Sequence, residues 1–304
     1  MMKRVLVGLV LLAALGRPTA PAAQAGPTAS PVTYEIFAVR FGVLPQFPVA
    51  NLVAGGDKDR KLDIPVMVWV LKGSDGRVVL VDSGFYEEKF VTRWKVQNFT
   101  TPAVAVSRLG IQPDQVSDVI LTHMHWDHAD GADLFPKATV WIQKDEYQYY
   151  TGEAWQDPKR RGGGADVDVM SKLVKRNMTG LVRFVTGDAQ EILPGITCYT
   201  GGKHAFASQY LGVNTAKGIV VMASDNVYLY QNLTSHAAIA QTLDAASNLQ
   251  AQDRMRGLSS RSGLIVPGHD PEVSTRLPRM DRSLCRAREQ LVVIDSFSDT
   301  GGTV

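Results

Sequence analysis

The residues best suited to chemistry lie between positions 123 and 128, where three histidines and one aspartate occur within six residues. They are His123, His125, Asp127 and His128, and a short apolar run precedes them. Imidazole is a typical ligand of zinc and similar metals, and a carboxylate beside it allows a second ion to bind nearby. The segment therefore predicts a metal site that draws further ligands from elsewhere in the chain.

Three more candidate ligands follow predicted strands later in the sequence. His204 lies in a glycine-rich turn, Asp225 ends the apolar run 218–223, and His269 follows a short strand. A two-metal hydrolytic site needs about three or four ligands per ion, a shared oxygen donor and an open position for water. We expect His204 to complete one set and His269 the other, with Asp225 between them. The first set would hold His123, His125 and His204, and the second Asp127, His128 and His269.

One further carboxylate, Asp82, ends the predicted strand 77–82. A carboxylate there can accept a hydrogen bond from the far nitrogen of a metal-bound histidine and so orient the ring. The alternative is an ordinary turn cap, and the sequence leaves both interpretations open.

The N-terminus predicts a secretory signal peptide over residues 1–25. Lys3 and Arg4 precede an apolar stretch too short to span a bilayer, and Ala23-Gln24-Ala25 is a typical cleavage site. A flexible leader over residues 26–32 and a single domain over residues 33–304 would follow. The sequence therefore predicts export to a periplasm or to the cell exterior.

Composition limits the classes of protein that fit. The chain has 304 residues, is 45% hydrophobic and 20% charged, and carries a formal net charge of +2. A nucleic-acid-binding protein would be expected to carry a strongly basic surface, so this class is disfavoured. The two cysteines, Cys198 and Cys285, either pair in an oxidising compartment or remain buried thiols.

Alternating strand and helix patterns predict one α/β domain with no membrane span. We expect strands near 33–40, 65–71, 77–82, 116–122, 139–142 and between 181 and 223, and a helix over 144–150. Residues 43–48 are typical of an apolar loop, and residues 151–168 of a mobile loop. Ser235 or Thr234 is predicted to cap a long helix that ends near Met255.

The His123-Met124-His125-Trp126-Asp127-His128 segment matches the HxHxDH signature of the metallo-β-lactamase superfamily. Asp82, His204, Asp225 and His269 occur in the order and approximate spacing of that family. This resemblance implies an αββα sandwich with two divalent metal ions, most often zinc, at one edge. It implies the same two ligand sets, with Asp225 bridging the ions.

Within this superfamily the chain resembles the N-acyl homoserine lactonase group, which includes quorum-quenching enzymes. The strands around residues 65–84 are similar to its opening hairpin, and Tyr228 lies three residues after Asp225. The resemblance implies hydrolysis in which a metal-bridged hydroxide attacks a lactone or ester carbonyl. Tyr228 would assist the carbonyl oxygen, and Asp127 would pass a proton to the leaving alkoxide. The substrate would be a small molecule with an apolar acyl part, and dimers are common among such enzymes.

Other functions on the same scaffold stay open at this point. A periplasmic β-lactamase would fit the predicted export, although such enzymes usually lack an aspartate at the bridging position. A thioester hydrolase keeps this aspartate but usually has basic substrate-binding residues in its C-terminal half. A non-catalytic metal-binding domain would be expected to have lost a ligand, and this sequence retains them all.

Overall fold

The structure is a computed structural model that describes residues 31–156, 164–261, 264–276 and the backbone of 291–294. The predicted signal peptide, most of the leader, the centre of the 151–168 segment and Cys285 lie outside the described residues. None of the helices in the described ranges combines the length and hydropathy that crossing a membrane requires.

The larger of two β-sheets has seven strands in the order β12-β1-β2-β3-β4-β5-β6. Strands β12, β1, β2 and β3 pair antiparallel, whereas β3, β4, β5 and β6 run parallel. The strands are β1 (Tyr34–Pro48), β2 (Lys61–Gly73), β3 (Val78–Val81), β4 (Asp118–Ile120), β5 (Thr139–Gln143), β6 (Val182–Val185) and β12 (Leu291–Ile294).

The second sheet has five strands in the order β11-β10-β9-β8-β7. Its strands pair antiparallel except β10 and β11, which run parallel. They are β7 (Gln190–Leu193), β8 (Ile196–Thr200), β9 (Gln209–Thr215), β10 (Gly218–Ser224) and β11 (Ile265–Pro267).

Eight α-helices lie within the described residues, and the longer ones cover the outer sides of the two sheets. They are α1 (Glu88–Arg93), α2 (Pro102–Ser107), α3 (Trp126–Ala129), α4 (Lys144–Thr151), α5 (Val167–Met178), α6 (Tyr230–Thr234), α7 (Ala245–Leu258) and α8 (Val273–Arg276). Thr101, Asp166 and Asp244 accept hydrogen bonds from backbone amides at the starts of α2, α5 and α7.

Side chains alternate between two cores along the strands of the larger sheet. Ile36 and Ala38 face the second sheet, whereas Phe37 and Val39 face the helical side with residues of α1, α2, α4 and α5. The period of two is the ordinary consequence of strand geometry, and burial of both faces explains the continuous apolar runs. A third cluster packs α7 against the outer face of β10. The layers run helix, sheet, sheet, helix, which confirms the predicted αββα sandwich of the metallo-β-lactamase type.

The predicted long helix from Ser235 to Met255 is wrong. Helix α6 ends at Thr234, and an irregular segment separates it from α7. Side-chain amides hold this segment instead of a helical ladder: Asn232 donates to the carbonyls of Ala237 and Ala238, and Asn248 accepts from the amide of Ile239. These amides give the backbone partners outside a helix.

Two predicted loops also differ from the structure. Residues 43–48 belong to β1 and pair with β2. A bulge between Leu44 and Phe47 accommodates Pro45, and Pro48 pairs with Lys61. In the 151–168 segment the last two residues already belong to α5, which begins at Val167 after the Asp166 cap.

Candidate metal centre

The candidate ligands meet at one edge of the sandwich because the strands that precede them run in the same sense. Parallel strands β3 and β4 end at Asp82 and at the 123–128 segment, and parallel strands β10 and β11 end at Asp225 and His269. His204 follows β8 in a glycine-rich turn. Sites in α/β sheets commonly form at the carboxyl ends of parallel strands. All seven predicted ligands are brought together here.

The first ligand set contains His123, His125 and His204, whose candidate ligand atoms lie within 4.8 Å of one another. His204 Nε2 lies 3.0 Å from His125 Nδ1. All three side chains are buried. This arrangement provides three nitrogen donors around one point.

The second set contains Asp127, His128, Asp225 and His269, again with ligand atoms within 4.8 Å of one another. His128 Nε2 lies 3.5 Å from Asp127 Oδ2, and His269 Nε2 lies 3.9 Å from the same oxygen. The set therefore combines two imidazoles with two carboxylates, which suits a zinc-like divalent ion.

Asp225 lies between the two sets, with one oxygen toward each. Its Oδ2 is 3.3 Å from His204 Nε2, whereas its Oδ1 is 3.3 Å from His128 Nε2 and 3.1 Å from His269 Nε2. Tetrahedral coordination at about 2.0–2.1 Å places ligand atoms about 3.3 Å apart. The spacing therefore fits a carboxylate that bridges two cations.

Hydrogen bonding indicates that a cation belongs between these atoms. Within the described residues, His123 Nε2, His128 Nε2 and Asp225 Oδ1 are buried without a hydrogen-bond partner. Buried polar atoms normally have partners, so these three point to a ligand that supplies them. The far ring nitrogens are occupied: His204 Nδ1 lies 2.9 Å from the Gln241 carbonyl, and His269 Nδ1 lies 3.1 Å from the Pro65 carbonyl.

Metal binding requires neutral imidazoles and ionised carboxylates. Burial would lower the pKa of His128 and of His269, but Asp225 raises both above the usual value, so these two rings must lose a proton when an ion binds. The other ligands already favour the required form. Burial, together with neighbouring His204, lowers the pKa of His125 to about 3. Burial and neighbouring His128 also lower the pKa of His123 well below its usual value. Burial would raise the pKa of Asp225, but His128 and His269 hold it well below the usual range. These groups are therefore in their ligand forms at neutral pH.

Asp82 occupies the orienting position that the sequence allowed for it. Its Oδ2 lies 2.8 Å from His128 Nδ1, and its Oδ1 accepts hydrogen bonds from the backbone amide and hydroxyl of Thr122. The Asp82 backbone adopts a left-handed φ of 59°, which turns the chain at the end of β3. Thr122, which was not among the predicted site residues, also lies with its hydroxyl 3.0 Å from His123 Nδ1. The feature of the sequence that could have identified Thr122 is its position as a polar residue at the end of a buried strand.

We expect Asp82→Asn to lower the affinity of the second ligand set for its metal ion by about 10–100-fold. This is the usual cost of losing a hydrogen-bond partner of a metal-bound histidine. The reason is that the His128 ring would lose the carboxylate that fixes its orientation. Metal content after dialysis against a graded chelator series measures the change. Asp114→Asn, which removes only an exposed ion pair with Lys137, is the control. Equal metal retention by both variants would contradict the assignment of Asp82.

Tyr228 lies beside both sets, with its ring 5.5 Å from the His204 ring and 5.9 Å from the His269 ring. Its hydroxyl lies 3.2 Å from His204 Nδ1. That nitrogen also faces the Gln241 carbonyl, so it carries the ring proton and cannot accept one from the tyrosine. Burial and then Asp225 raise the pKa of Tyr228 well above its usual value. The hydroxyl therefore keeps a proton that it can donate elsewhere.

A cavity of about 250 Å³ opens onto the ligand atoms and Tyr228. Arg93, Gln241 and the backbone of Gly164 contribute to its wall. One side is apolar and is formed by Leu44, Phe47, Leu52, Ile64, Trp94 and Trp126.

Aromatic side chains stack within this apolar wall. Trp126 stacks on Trp94 at 5.8 Å and on Phe90 at 4.6 Å between ring centroids. Trp126 lies between His125 and Asp127 in the chain, so the wall begins at the ligands themselves. On α4, the ring of Tyr147 contacts Phe184, and the ring of Tyr150 lies 6.2 Å from the His125 ring.

The remaining histidine, His236, takes no part in either ligand set. Its side chain is half exposed and pairs with Asp253 at 3.0 Å. It lies in the irregular segment after α6, not in the first turn of a helix.

Comparison with known proteins identifies a family. The profile described as "Metallo-beta-lactamase superfamily" matches residues 63–207. An N-acyl homoserine lactonase of a Bacillus species is 25% identical over 226 residues, which span 69% of this chain and 83% of the relative. N-acyl homoserine lactonase AiiB of Agrobacterium fabrum is 32% identical over 117 residues, but this region covers only 34% of this chain and 40% of that relative.

Solved structures show the same fold. A quorum-quenching N-acyl homoserine lactone lactonase superimposes with a TM-score of 0.65 at 19% identity, over 82% of this chain and 98% of that chain. AidC, a dizinc quorum-quenching lactonase in complex with a product, superimposes with a TM-score of 0.60 at 13% identity, over 79% of this chain and 91% of that chain. Over residues 63–207 this chain matches the metallo-β-lactamase superfamily, and it is similar to the N-acyl homoserine lactonases within that superfamily.

Proposed function

We propose that this protein is a metal-dependent hydrolase that opens lactone or ester bonds, with N-acyl homoserine lactones as the favoured substrates. The observation that carries the proposal is Asp225, whose two carboxylate oxygens face two separate sets of buried ligands. Relatives named as N-acyl homoserine lactonases support the substrate class.

Two divalent ions, for which zinc is our proposal, would lower the pKa of a coordinated water to about 7 and polarise the substrate carbonyl. His123, His125 and His204 would hold one ion, whereas Asp127, His128 and His269 would hold the other. Asp225 would bridge them and keep the two cations close together.

Residues of this chain would handle the protons of the reaction. Attack on the carbonyl carbon places negative charge on the carbonyl oxygen, and the Tyr228 hydroxyl can donate a hydrogen bond to it. Breaking the ring ester bond produces an alkoxide that needs a proton. Burial would raise the pKa of Asp127, but His128 holds it below the usual value, so the carboxylate can accept the proton of the attacking water and transfer it to the alkoxide.

The cavity supports a substrate with an apolar part. Phe47, Trp94 and Trp126 form a wall next to the ligands, where an acyl chain would be removed from water. The polar side of the cavity, with Tyr228 and Gln241, would face the lactone ring and amide. The neighbouring alternatives, a β-lactam or a thioester, offer a carbonyl but lack this combination of a small polar ring and a long apolar chain.

We also propose that the protein is exported to a periplasm or to the cell exterior. The proposal rests on the N-terminal sequence, with two basic residues, an apolar stretch and the Ala23-Gln24-Ala25 cleavage signal. An exported lactonase would meet its substrate outside the cytoplasm. Cell fractionation with N-terminal sequencing of the recovered protein checks the proposal, which predicts an N-terminus at Gly26.

The experiment for the proposed activity is hydrolysis of a substrate panel by the metal-loaded protein. The panel contains acyl homoserine lactones of several chain lengths, simple γ- and δ-lactones, a phenyl ester, a thioester and a cephalosporin. We expect lactone turnover that increases with acyl length up to the capacity of the cavity. Asp225→Ala is the control and should abolish it. Turnover of the cephalosporin or the thioester without lactone turnover would contradict the proposal.

A further inference from the structure

A buried carboxylate on α4 has no role in the ligand sets. Glu146 is fully buried, whereas its chain neighbours Lys144 and Asp145 are exposed. Its Oε1 accepts a hydrogen bond from the Met124 amide at 3.0 Å, and its Oε2 accepts one from the Ala207 amide at 2.6 Å. One side chain therefore uses both oxygens to hold two backbone segments that are distant in the sequence.

These two segments are the ones that carry the first ligand set. Met124 lies between His123 and His125, and Ala207 lies three residues after His204. The carboxylate is thus joined to all three ligands through short stretches of backbone. Because α4 follows β5 directly, the position of the carboxylate is fixed by the larger sheet.

Keeping a carboxylate at this place is costly. Burial raises the pKa of Glu146 to about 7, and no ion pair to Glu146 is present among the described residues. The two amide hydrogen bonds, and the positive end of α4 where the residue lies, favour the ionised form. A leucine or methionine could fill the same volume without the desolvation cost, so packing alone does not explain a glutamate here.

The second ligand set is held by other groups. His128 Nδ1 faces Asp82, the His128 carbonyl accepts from the Ser83 amide, and His269 Nδ1 faces the Pro65 carbonyl. None of these contacts involves Glu146. The two hydrogen bonds of Glu146 are therefore separate from the contacts that hold the second set, whereas Asp82 contacts both sets, reaching His123 through Thr122.

We propose that Glu146 is a positioning residue that fixes the spacing of the two loops of the first ligand set and thereby sets the affinity of the first metal ion. The proposal rests on the two-metal site of the proposed function. It predicts that loss of the carboxylate lowers the affinity for the first metal ion and leaves the affinity for the second unchanged. In Glu146→Gln, the amide nitrogen must face a backbone N–H, so one loop loses its acceptor.

The test measures the binding of Co²⁺ to full-length protein in two backgrounds, by chelator competition and by the visible spectrum of the bound ion. His269→Ala leaves only the first set complete, and His125→Ala leaves only the second set complete. In the His269→Ala background, we expect Glu146→Gln to lower the affinity for Co²⁺ by about 10–100-fold and to change the visible spectrum of the bound ion. In the His125→Ala background we expect no change.

Asp118→Asn is the matched control because Asp118 is also a buried carboxylate, bound to Trp141 Nε1 at the other end of β4. It should leave both affinities unchanged. If Glu146→Gln does not fold by circular dichroism, Glu146→Asp carries the test, with a smaller weakening of the first ion because its carboxylate reaches less far.

Equal weakening in both backgrounds, or none in either, would overturn the role of Glu146. If wild-type protein binds two ions and the variant retains both with unchanged affinity, only this proposal fails. Wild-type protein that takes up no metal would overturn both this proposal and the proposed function.

Discussion

Asp225→Asn is expected to lower the rate of lactone hydrolysis by more than about 100-fold. Losing a hydrogen-bond partner of a metal ligand costs up to about 100-fold, and the loss of a ligand itself should cost more. The substitution preserves size but removes the charge and one of the two metal-binding oxygens. The side chain could then serve only one ligand set, because Oδ2 faces His204 whereas Oδ1 faces His128 and His269. The bound metal should fall from two ions per chain to about one.

Elemental analysis of the purified variant, together with initial rates on an acyl homoserine lactone, measures both effects. Asp118→Asn again serves as the control for loss of a buried carboxylate outside the centre. A variant that retains two ions and wild-type turnover would show that Asp225 is not the bridge.

Tyr228→Phe is expected to lower kcat by about 10²–10³-fold, the usual cost of losing one donor to a developing oxyanion. Its hydroxyl keeps its proton because burial, with Asp225 nearby, raises its pKa, and because His204 Nδ1 cannot accept that proton. KM and metal content should change little, because the hydrogen bond is strongest in the transition state.

Steady-state kinetics and metal analysis of the same sample separate these effects. Tyr210→Phe is the matched control, since the Tyr210 hydroxyl is also buried but has no hydrogen-bond partner among the described residues. An increase in KM at unchanged kcat would assign Tyr228 to substrate binding, and an unchanged rate would remove it from the mechanism.

The candidate centre was predictable because its residues carry a local signal. Histidine and aspartate stand out in the sequence because they directly follow apolar strands. The common direction of these strands then brings the side chains to one edge of the sheets. His204 and His269 are single residues in turns. They could be predicted as ligands only because the 123–128 segment already indicated a metal site that needs further ligands. The structure brings all of these residues together, and their roles as ligands are what the experiments above test.

Other features could not be predicted because they depend on distant contacts. Glu146 looks like an ordinary first-turn residue of α4, and only the arrival of Met124 and Ala207 gives it a role. The irregular segment before α7 depends on amide side chains of Asn232 and Asn248 that bond to remote backbone groups. Local helix propensity does not depend on such distant hydrogen bonds, so the sequence predicted one continuous helix through this region.

The most direct test is to titrate metal-free protein with Zn²⁺ while measuring bound metal and hydrolysis of an acyl homoserine lactone in the same sample. The proposed function predicts no activity without metal, uptake of two ions per chain and full activity only as the second ion binds. Full hydrolysis by metal-free protein, or saturation at one ion per chain with full activity, would contradict it.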